Sequence, residues 1–338
     1  MKAVIKAIEY ILPTGKVTNE QLAAEFAGFT PEKIESKTGI VERHIAVEGE
    51  CASDLGVRAA NKLFGTGVCQ ASTVDFLLFC TQSPDYFLPT TACLVQERLG
   101  LPTSVGALDF NLGCSGFVYG LSLAKGLIET GQAKNVLLLT AETYSKHINS
   151  GDRNLRTLFG DAAAATLVGA TTGGDQESIG PFVFGTDGRG ANNLIVPTGG
   201  MRSPQVPNAE ILKDKGGSAR SVNNLFMDGR EIFNFTLEAV PVAFNELLSR
   251  ARKTSEEIDL FVFHQANAFM LEHLRQKLSI PTEKFLVSMA ACGNTVSSTI
   301  PIALKDASIK GSLHSGSLVM LVGFGVGYSW SATLIRWP

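Results

Sequence analysis

Three residues are best suited to do chemistry: a cysteine, a histidine and an asparagine, each where an apolar run gives way to a turn. The cysteine stands in Gly113-Cys114-Ser115-Gly116. Before it, Val105 to Leu112 is a short apolar run interrupted by Asp109 and Asn111, which predicts a strand. After it, Phe117, Leu121 and Leu127 fall at helical spacing. Cys114 therefore sits where a strand hands over to a helix N-terminus. Free N–H groups and the positive end of the helix dipole favour thiolate over thiol there, and the flanking glycines admit a substrate to the sulfur. The same pattern suits a small buried cysteine packed in a turn, and both readings stand at this point. His264 directly follows Leu260-Phe-Val-Phe263 and precedes the polar Gln265-Ala-Asn267. It reads as a catalytic imidazole or as a satisfied structural one. Asn294, in Gly293-Asn294-Thr295, reads as a hydrogen-bond donor or as a turn former.

The elements that must position these residues show a hidden repeat. Val74-Asp-Phe-Leu-Leu-Phe-Cys80 and Ile258-Asp-Leu-Phe-Val-Phe-His264 share an acidic residue followed by an apolar strand. Lys134 to Glu142 pairs in pattern with Ser315 to Gly323. Between the members of each pair lies a tight small-residue turn before a helix, holding Cys114 in one half and Asn294 in the other. The three matches have nearly one offset, from 180 to 184 residues. A common offset predicts a duplicated α/β unit, with halves at 1–172 and 173–338 meeting in the glycine-rich 171–175. Gly188 to Val222, rich in Gly, Pro and Asn, reads as an insertion over the mouth of the site. Equivalent turns of a duplicated fold face one another, which would bring Cys114, His264 and Asn294 together beyond the strand ends.

Composition narrows the function. A hydrophobic content of 45% with 18% charged residues describes a well-buried chain, and the formal net charge of −3 offers no basic field to nucleic acid. The six cysteines form no C-x-x-C pair and the five histidines are scattered, so no metal site is expected. Cys51, Cys69, Cys80, Cys93 and Cys292 fit packing roles. The N-terminus has no signal-peptide pattern, and the uncharged stretches Leu286–Leu304 and Leu318–Ile335 are too rich in polar residues or glycine to read as membrane spans. The expectation is a soluble cytoplasmic protein. Gly323-Phe-Gly-Val-Gly327 is followed by strand-like residues, which argues against a dinucleotide fingerprint. It either offers backbone N–H groups to an oxyanion or simply connects two strands.

Taken together these pieces resemble the thiolase-type condensing enzymes, specifically the β-ketoacyl-acyl-carrier-protein synthase III family. The markers are Lys37-Thr-Gly-Ile-Val-Glu-Arg-His-Ile45, Gly113-Cys-Ser-Gly-Phe117, Leu158-Phe-Gly-Asp-Ala-Ala163, His264-Gln-Ala-Asn267, Gly293-Asn-Thr295 and Phe324-Gly-Val-Gly-Tyr-Ser-Trp330. The resemblance implies a thiolase-like fold of two duplicated α/β halves in α-β-α-β-α layers. It implies that Cys114 takes an acyl group from acyl-CoA, and that His264, with Nε2 protonated, and Asn294 hold the enolate left when a malonyl thioester loses CO₂. The N–H groups of Cys114 and Val326 would form the oxyanion hole, such donors contributing roughly 3–4 kcal/mol each. No cofactor is implied beyond acyl-CoA as substrate. A homodimer is implied, the partner helping to close the acyl pocket, with malonyl-acyl carrier protein as a further partner.

Lys37, Leu88, Arg153, Arg230, Asn267 and Phe324 map to substrate-binding positions, but recognition departs from the family's pattern. Lys33 stands where a Trp clamps the CoA adenine against the Arg153 position. Arg230 replaces an Asn near the pantetheine channel. Phe269 and Asn234 replace basic residues that dock the carrier, and Leu88 replaces a Phe at the pocket gate. The primer would then be longer or more unusual than acetyl. The alternative reading is an acyltransferase that passes the Cys114-bound acyl group to a hydroxyl or amine.

Overall fold

The computed structural model describes residues 1–171 and 178–338. The expected boundary at 172/173 lies outside the described residues. Two sheets carry the fold. The strands of the first are β1 (Lys2–Ile11), β2 (Phe76–Cys80), β3 (Gly106–Phe110), β4 (Asn135–Glu142) and β5 (Ala162–Thr171), in the order β1-β5-β4-β2-β3. Those of the second are β6 (Ile179–Thr186), β7 (Leu260–Phe263), β8 (Leu318–Gly325) and β9 (Ser329–Arg336), in the order β6-β9-β8-β7. Directions match as well as order. In each sheet the first two neighbouring pairs are antiparallel and the next is parallel. The parallel β2–β3 pair has only a trace in the second sheet, a single parallel bridge from Phe261 to Phe285.

The central strands β2, β7 and β8 are apolar because both faces are covered. Leu77 and Phe79 of β2 pack outward on α3 (Ala52–Gly65) and α4 (Thr91–Arg98), while Leu78 faces the middle layer. That layer is α5 (Gly116–Glu129) and α8 (Thr299–Ile309), buried between the sheets with Phe117, Leu121, Ile300 and Leu304. The outer face of the second sheet is covered by α6 (Gly229–Ala251) and α7 (Ala268–Lys277). The layers are therefore α-β-α-β-α, the thiolase-like arrangement. Small residues let α5 come this close: a Cβ at Gly120 would lie 2.6 Å from a Leu138 methyl. Asp109, the odd polar residue in β3, caps α4 by accepting the N–H groups of Thr91 and Ala92 at 2.6 Å each.

A capping box of Thr18 and Gln21 opens α1 (Asn19–Glu25), and α2 follows at Pro31–Thr38. One segment differs from its sequence pattern. Thr38 to His44 reads as a polar loop, yet Glu42–Ile45 pairs as a strand with Gly15–Thr18. The reason is Arg43, whose buried guanidinium donates to the carbonyls of Val17 and Thr157 and to Asn19 Oδ1. The insertion lies against the 147–154 segment: Ala219 N–H donates to the Gly151 carbonyl at 2.9 Å and Ser218 Oγ to Asp152 Oδ1 at 2.6 Å.

Candidate active site

Cys114 lies two residues before α5, held there by strands of the other half. Ser115 Oγ meets Ser329 Oγ at 2.7 Å, and Ser331 Oγ donates to the Ser115 carbonyl at 3.1 Å. Gly325 passes so close that a Cβ there would sit 2.7 Å from the Cys114 sulfur. On the other side of the turn, a Cβ at Gly113 would lie 2.8 Å from the Val326 side chain and 3.2 Å from that of Val296. The Cys114 turn, the Val326 loop and the Asn294–Val296 turn thus converge on one point.

The thiolate expected from a helix N-terminus is not the resting form. Cys114 is 6% exposed, and burial pushes its thiol up to about 12. The backbone N–H groups of Val326 and Cys114 itself pull the other way, since both face the sulfur, while Glu142 opposes them. Burial outweighs the local dipoles. His264 is 2% exposed, and desolvation alone pushes it down to about 3. The resting pair is a neutral thiol and a neutral imidazole.

His264 follows β7, its N–H bonded to the Val322 carbonyl at 2.8 Å. Phe324 is 1% exposed and stands edge-on to its ring at 5.6 Å. Phe324 therefore packs against the imidazole. Nδ1 of His264 lies 2.7 Å from Thr299 Oγ1. Asn294 is fixed by its backbone to the Phe159 segment, its N–H donating to the Leu158 carbonyl at 2.9 Å and its carbonyl accepting from Gly160 at 3.0 Å. Its Oδ1 accepts the Val296 N–H at 2.9 Å.

Leu158 also borders a cleft of about 820 Å³ that brings together Lys37, Arg153 and Asn267, with Lys33 and Phe269 beside them. Among the described residues, three cations and no carboxylate line it. Asn267 caps α7 through the Met270 N–H at 2.8 Å. Arg153 stacks its guanidinium 4.1 Å over the Phe29 ring and donates to the Gly216 carbonyl at 2.9 Å. Two expected binding residues are not brought there. Arg230 is exposed at the start of α6, where its N–H is spent on the Asp228 cap. Leu88 is 82% exposed beside Tyr86 and Phe87, which are also exposed. Neither borders the cleft.

Comparison with known proteins fixes the relationship. Residues 108–188 match the model of 3-oxoacyl-[acyl-carrier-protein] synthase III, and 248–337 match its C-terminal model. The β-ketoacyl-[acyl-carrier-protein] synthase III of Caldanaerobacter subterraneus is 36% identical over 332 residues, 97% of each chain. The chain belongs to the 3-oxoacyl-[acyl-carrier-protein] synthase III family. A solved structure of such a synthase superposes with a TM-score of 0.98 at 53% identity, covering all of both chains. The synthase III of Pseudomonas aeruginosa gives 0.86 at 31% identity, covering 100% of this chain and 99% of its own.

Some site residues escaped the family pattern. Phe29 supplies the aromatic partner for Arg153, although the sequence marks it only as the residue before Thr30-Pro31. Glu142, at the end of β4, is fully buried and accepts from the Gln82 N–H at 3.0 Å, Ser297 Oγ at 3.0 Å and Ser83 Oγ at 3.3 Å. It ties β4 to the turn that carries Asn294. Desolvation pushes its carboxyl up to about 8 despite those donors. The folded chain therefore keeps a proton that the unfolded chain releases above about 4.5. Stability should fall as pH rises through this window, with a slope of about 1.4 kcal/mol per pH unit for one proton. Asp161, raised to about 6, adds to the lower part of the window. Melting temperatures of Glu142→Gln measured from pH 5 to pH 8 should fall less than those of the parent; parallel curves would count against the buried acid.

Proposed function

We propose that this chain is a decarboxylating condensing enzyme of fatty acid or related biosynthesis, priming on acyl-CoA. The observation that carries the reading is the convergence of the Cys114 turn, the Val326 loop and the Asn294–Val296 turn at Gly113, next to a cleft lined by cations. Lys33, Lys37 and Arg153 suit the phosphates of CoA, and Phe29 with Arg153 offers a flat surface to its adenine. The reaction asks for no cofactor beyond acyl-CoA as substrate. The family assignment favours condensation over passing the acyl group to a hydroxyl or amine.

In the first half-reaction the Cys114 sulfur attacks the thioester carbonyl carbon. The bond to the CoA sulfur breaks, and the thiol proton leaves with the CoA thiolate as CoA-SH. Because the buried thiol is neutral at rest, proton loss accompanies attack, and the N–H groups of Cys114 and Val326 receive the developing oxyanion. In the second half-reaction a malonyl carboxylate leaves as CO₂, and its bonding electrons pass to the thioester oxygen. That enolate oxygen is held by His264 Nε2–H and Asn294 Nδ2–H₂. The enolate carbon then attacks the acyl-Cys114 carbonyl. Collapse releases a 3-oxoacyl thioester, and the Cys114 thiolate regains a proton from solvent. Two neutral donors suit this step, since an imidazolium is disfavoured where burial is complete.

A panel of acyl-CoAs supplied with a malonyl thioester tests the reading. Expected are an acyl adduct on the intact protein, CO₂ release and a 3-oxoacyl product. An adduct that turns over only with alcohols or amines, without consuming malonyl groups, would replace condensation by acyl transfer. The same reading places a second copy of the chain over Tyr86, Phe87 and Leu88, three adjacent apolar side chains facing solvent. Light scattering of the assayed sample should give twice the chain mass, and a monomer with full activity would remove Leu88 from the acyl pocket.

A further inference from the structure

The two donors assigned to the enolate are held from a single residue. Val296 is fully buried, and its φ is +55°. That region disfavours a β-branched side chain, at a cost of about 1–3 kcal/mol. A turn that only reversed the chain would be met more cheaply by Gly or Asn. What the strained conformation achieves is to send the two backbone groups of one residue to two different partners. The Val296 N–H donates to Asn294 Oδ1 at 2.9 Å. The Val296 carbonyl accepts the Thr299 backbone N–H, so the Thr299 hydroxyl, 3.0 Å from that carbonyl, is free to bond His264 Nδ1 at 2.7 Å.

The hydroxyl of Thr299 has one hydrogen and two acceptors within reach. His264 is neutral, so one ring nitrogen carries the proton and the other is bare. If Nδ1 carries it, Thr299 accepts from the ring and donates to the Val296 carbonyl. If Nε2 carries it, Thr299 donates to Nδ1. The bond made by one ring nitrogen thus decides what the other presents. For Asn294 the logic is simpler. Fixing Oδ1 on the Val296 N–H turns Nδ2–H₂ to the opposite side of the amide, away from the turn.

We propose that Val296 and Thr299 form one positioning device for the decarboxylation step, in which Thr299 donates to Nδ1 and so holds His264 with Nε2–H outward, while Val296 aims Nδ2–H₂ of Asn294. The inference rests on the roles given above to His264 and Asn294, and adds the pair through which both are set. Val296 and Thr299 are both buried. The Cys114 oxyanion donors lie on other segments, so acylation should depend on the device less than decarboxylation does.

The test separates the half-reactions in the full-length protein. Acylation of Cys114 by the best acyl-CoA of the panel is followed by intact mass, and CO₂ release from malonyl-CoA is followed with the acylated enzyme. In Thr299→Val, CO₂ release should fall by about 10–100-fold, with acylation within about threefold of the parent, and Thr299→Ser should restore CO₂ release. Val296→Gly relaxes the backbone and should lower CO₂ release more than it lowers acylation. Nitrogen NMR of ¹⁵N-histidine protein should show parent His264 protonated at Nε2 and Thr299→Val shifted toward Nδ1. Unchanged CO₂ release in Thr299→Val, failure of Thr299→Ser to rescue, or a parent His264 protonated only at Nδ1 would each overturn the inference. The NMR reading of the parent stands even if a variant fails to fold. A parent protein that takes no acyl group from any acyl-CoA sinks the proposed function instead.

Discussion

The Cys114→Ser protein should fold as the parent does and form no acyl adduct, with condensation lowered by at least about 10³-fold. The exchange keeps the size of the side chain, so the argument is about acidity. Burial already pushes the Cys114 thiol up to about 12, and the only help comes from the N–H groups of Val326 and Cys114 facing the sulfur. A hydroxyl is a far weaker acid and a poorer nucleophile. His264, pushed down to about 3, is too weak a base to take its proton. Sulfur tolerates this neutral, buried setting because it is polarisable and can shed its proton as the bond to carbon forms. Intact mass after incubation with acyl-CoA reads the result. Cys80 is a built-in control: it is fully buried, its thiol is raised well above the usual range, and it donates to the Leu112 carbonyl at 3.0 Å. An adduct in Cys114→Ser at the parent's rate would move the nucleophile elsewhere.

Much of this site was legible in the sequence, for a physical reason. Cys114 and His264 each follow an apolar run that folds as a strand, β3 and β7, so their ends lie on one side of a layered fold, while the run before Asn294 keeps only the bridge at Phe285. The common offset added what a single turn cannot say, that two such ends face each other. The matching strand order and directions of the two sheets follow that pattern. What the sequence hid depends on segments that meet only in three dimensions. The acidity of Cys114 is set first by burial, against which the Val326 N–H, more than two hundred residues away, and the Cys114 N–H pull. The family motif marks Phe324, but only the folded strand shows that its ring packs edge-on against His264. Leu88 and Arg230 were placed by analogy of position, and one chain leaves both in water. Arg43 made a strand out of a segment whose composition reads as loop, because its two terminal guanidinium nitrogens bond to neighbouring segments.

The closeness of Gly325 to the sulfur leads to the second large effect. Gly325→Ala should leave the fold intact and lower acylation by at least about a hundredfold. The new methyl carbon would lie 2.7 Å from the Cys114 sulfur and 2.8 Å from its Cβ, distances that real side chains do not keep. The sulfur can swing away at small cost, but Cβ belongs to a turn fixed by Ser115 and its bonds to Ser329 and Ser331. Relief therefore comes at the sulfur or at the Gly325–Val326 backbone, and each choice harms catalysis. Swinging the sulfur misplaces the nucleophile by about 1 Å, enough to cost two orders of magnitude. Shifting the loop withdraws the Val326 N–H from the oxyanion. Overpacking of this size costs about 1–3 kcal/mol of stability, which a chain with two buried sheets withstands. Thermal unfolding and acylation, measured on one preparation, separate the outcomes. A stable variant that acylates slowly places Gly325 in the geometry of the site. Acylation at the parent's rate would mean that the loop carrying Val326 moves freely, and the oxyanion hole would have to be sought in other N–H groups.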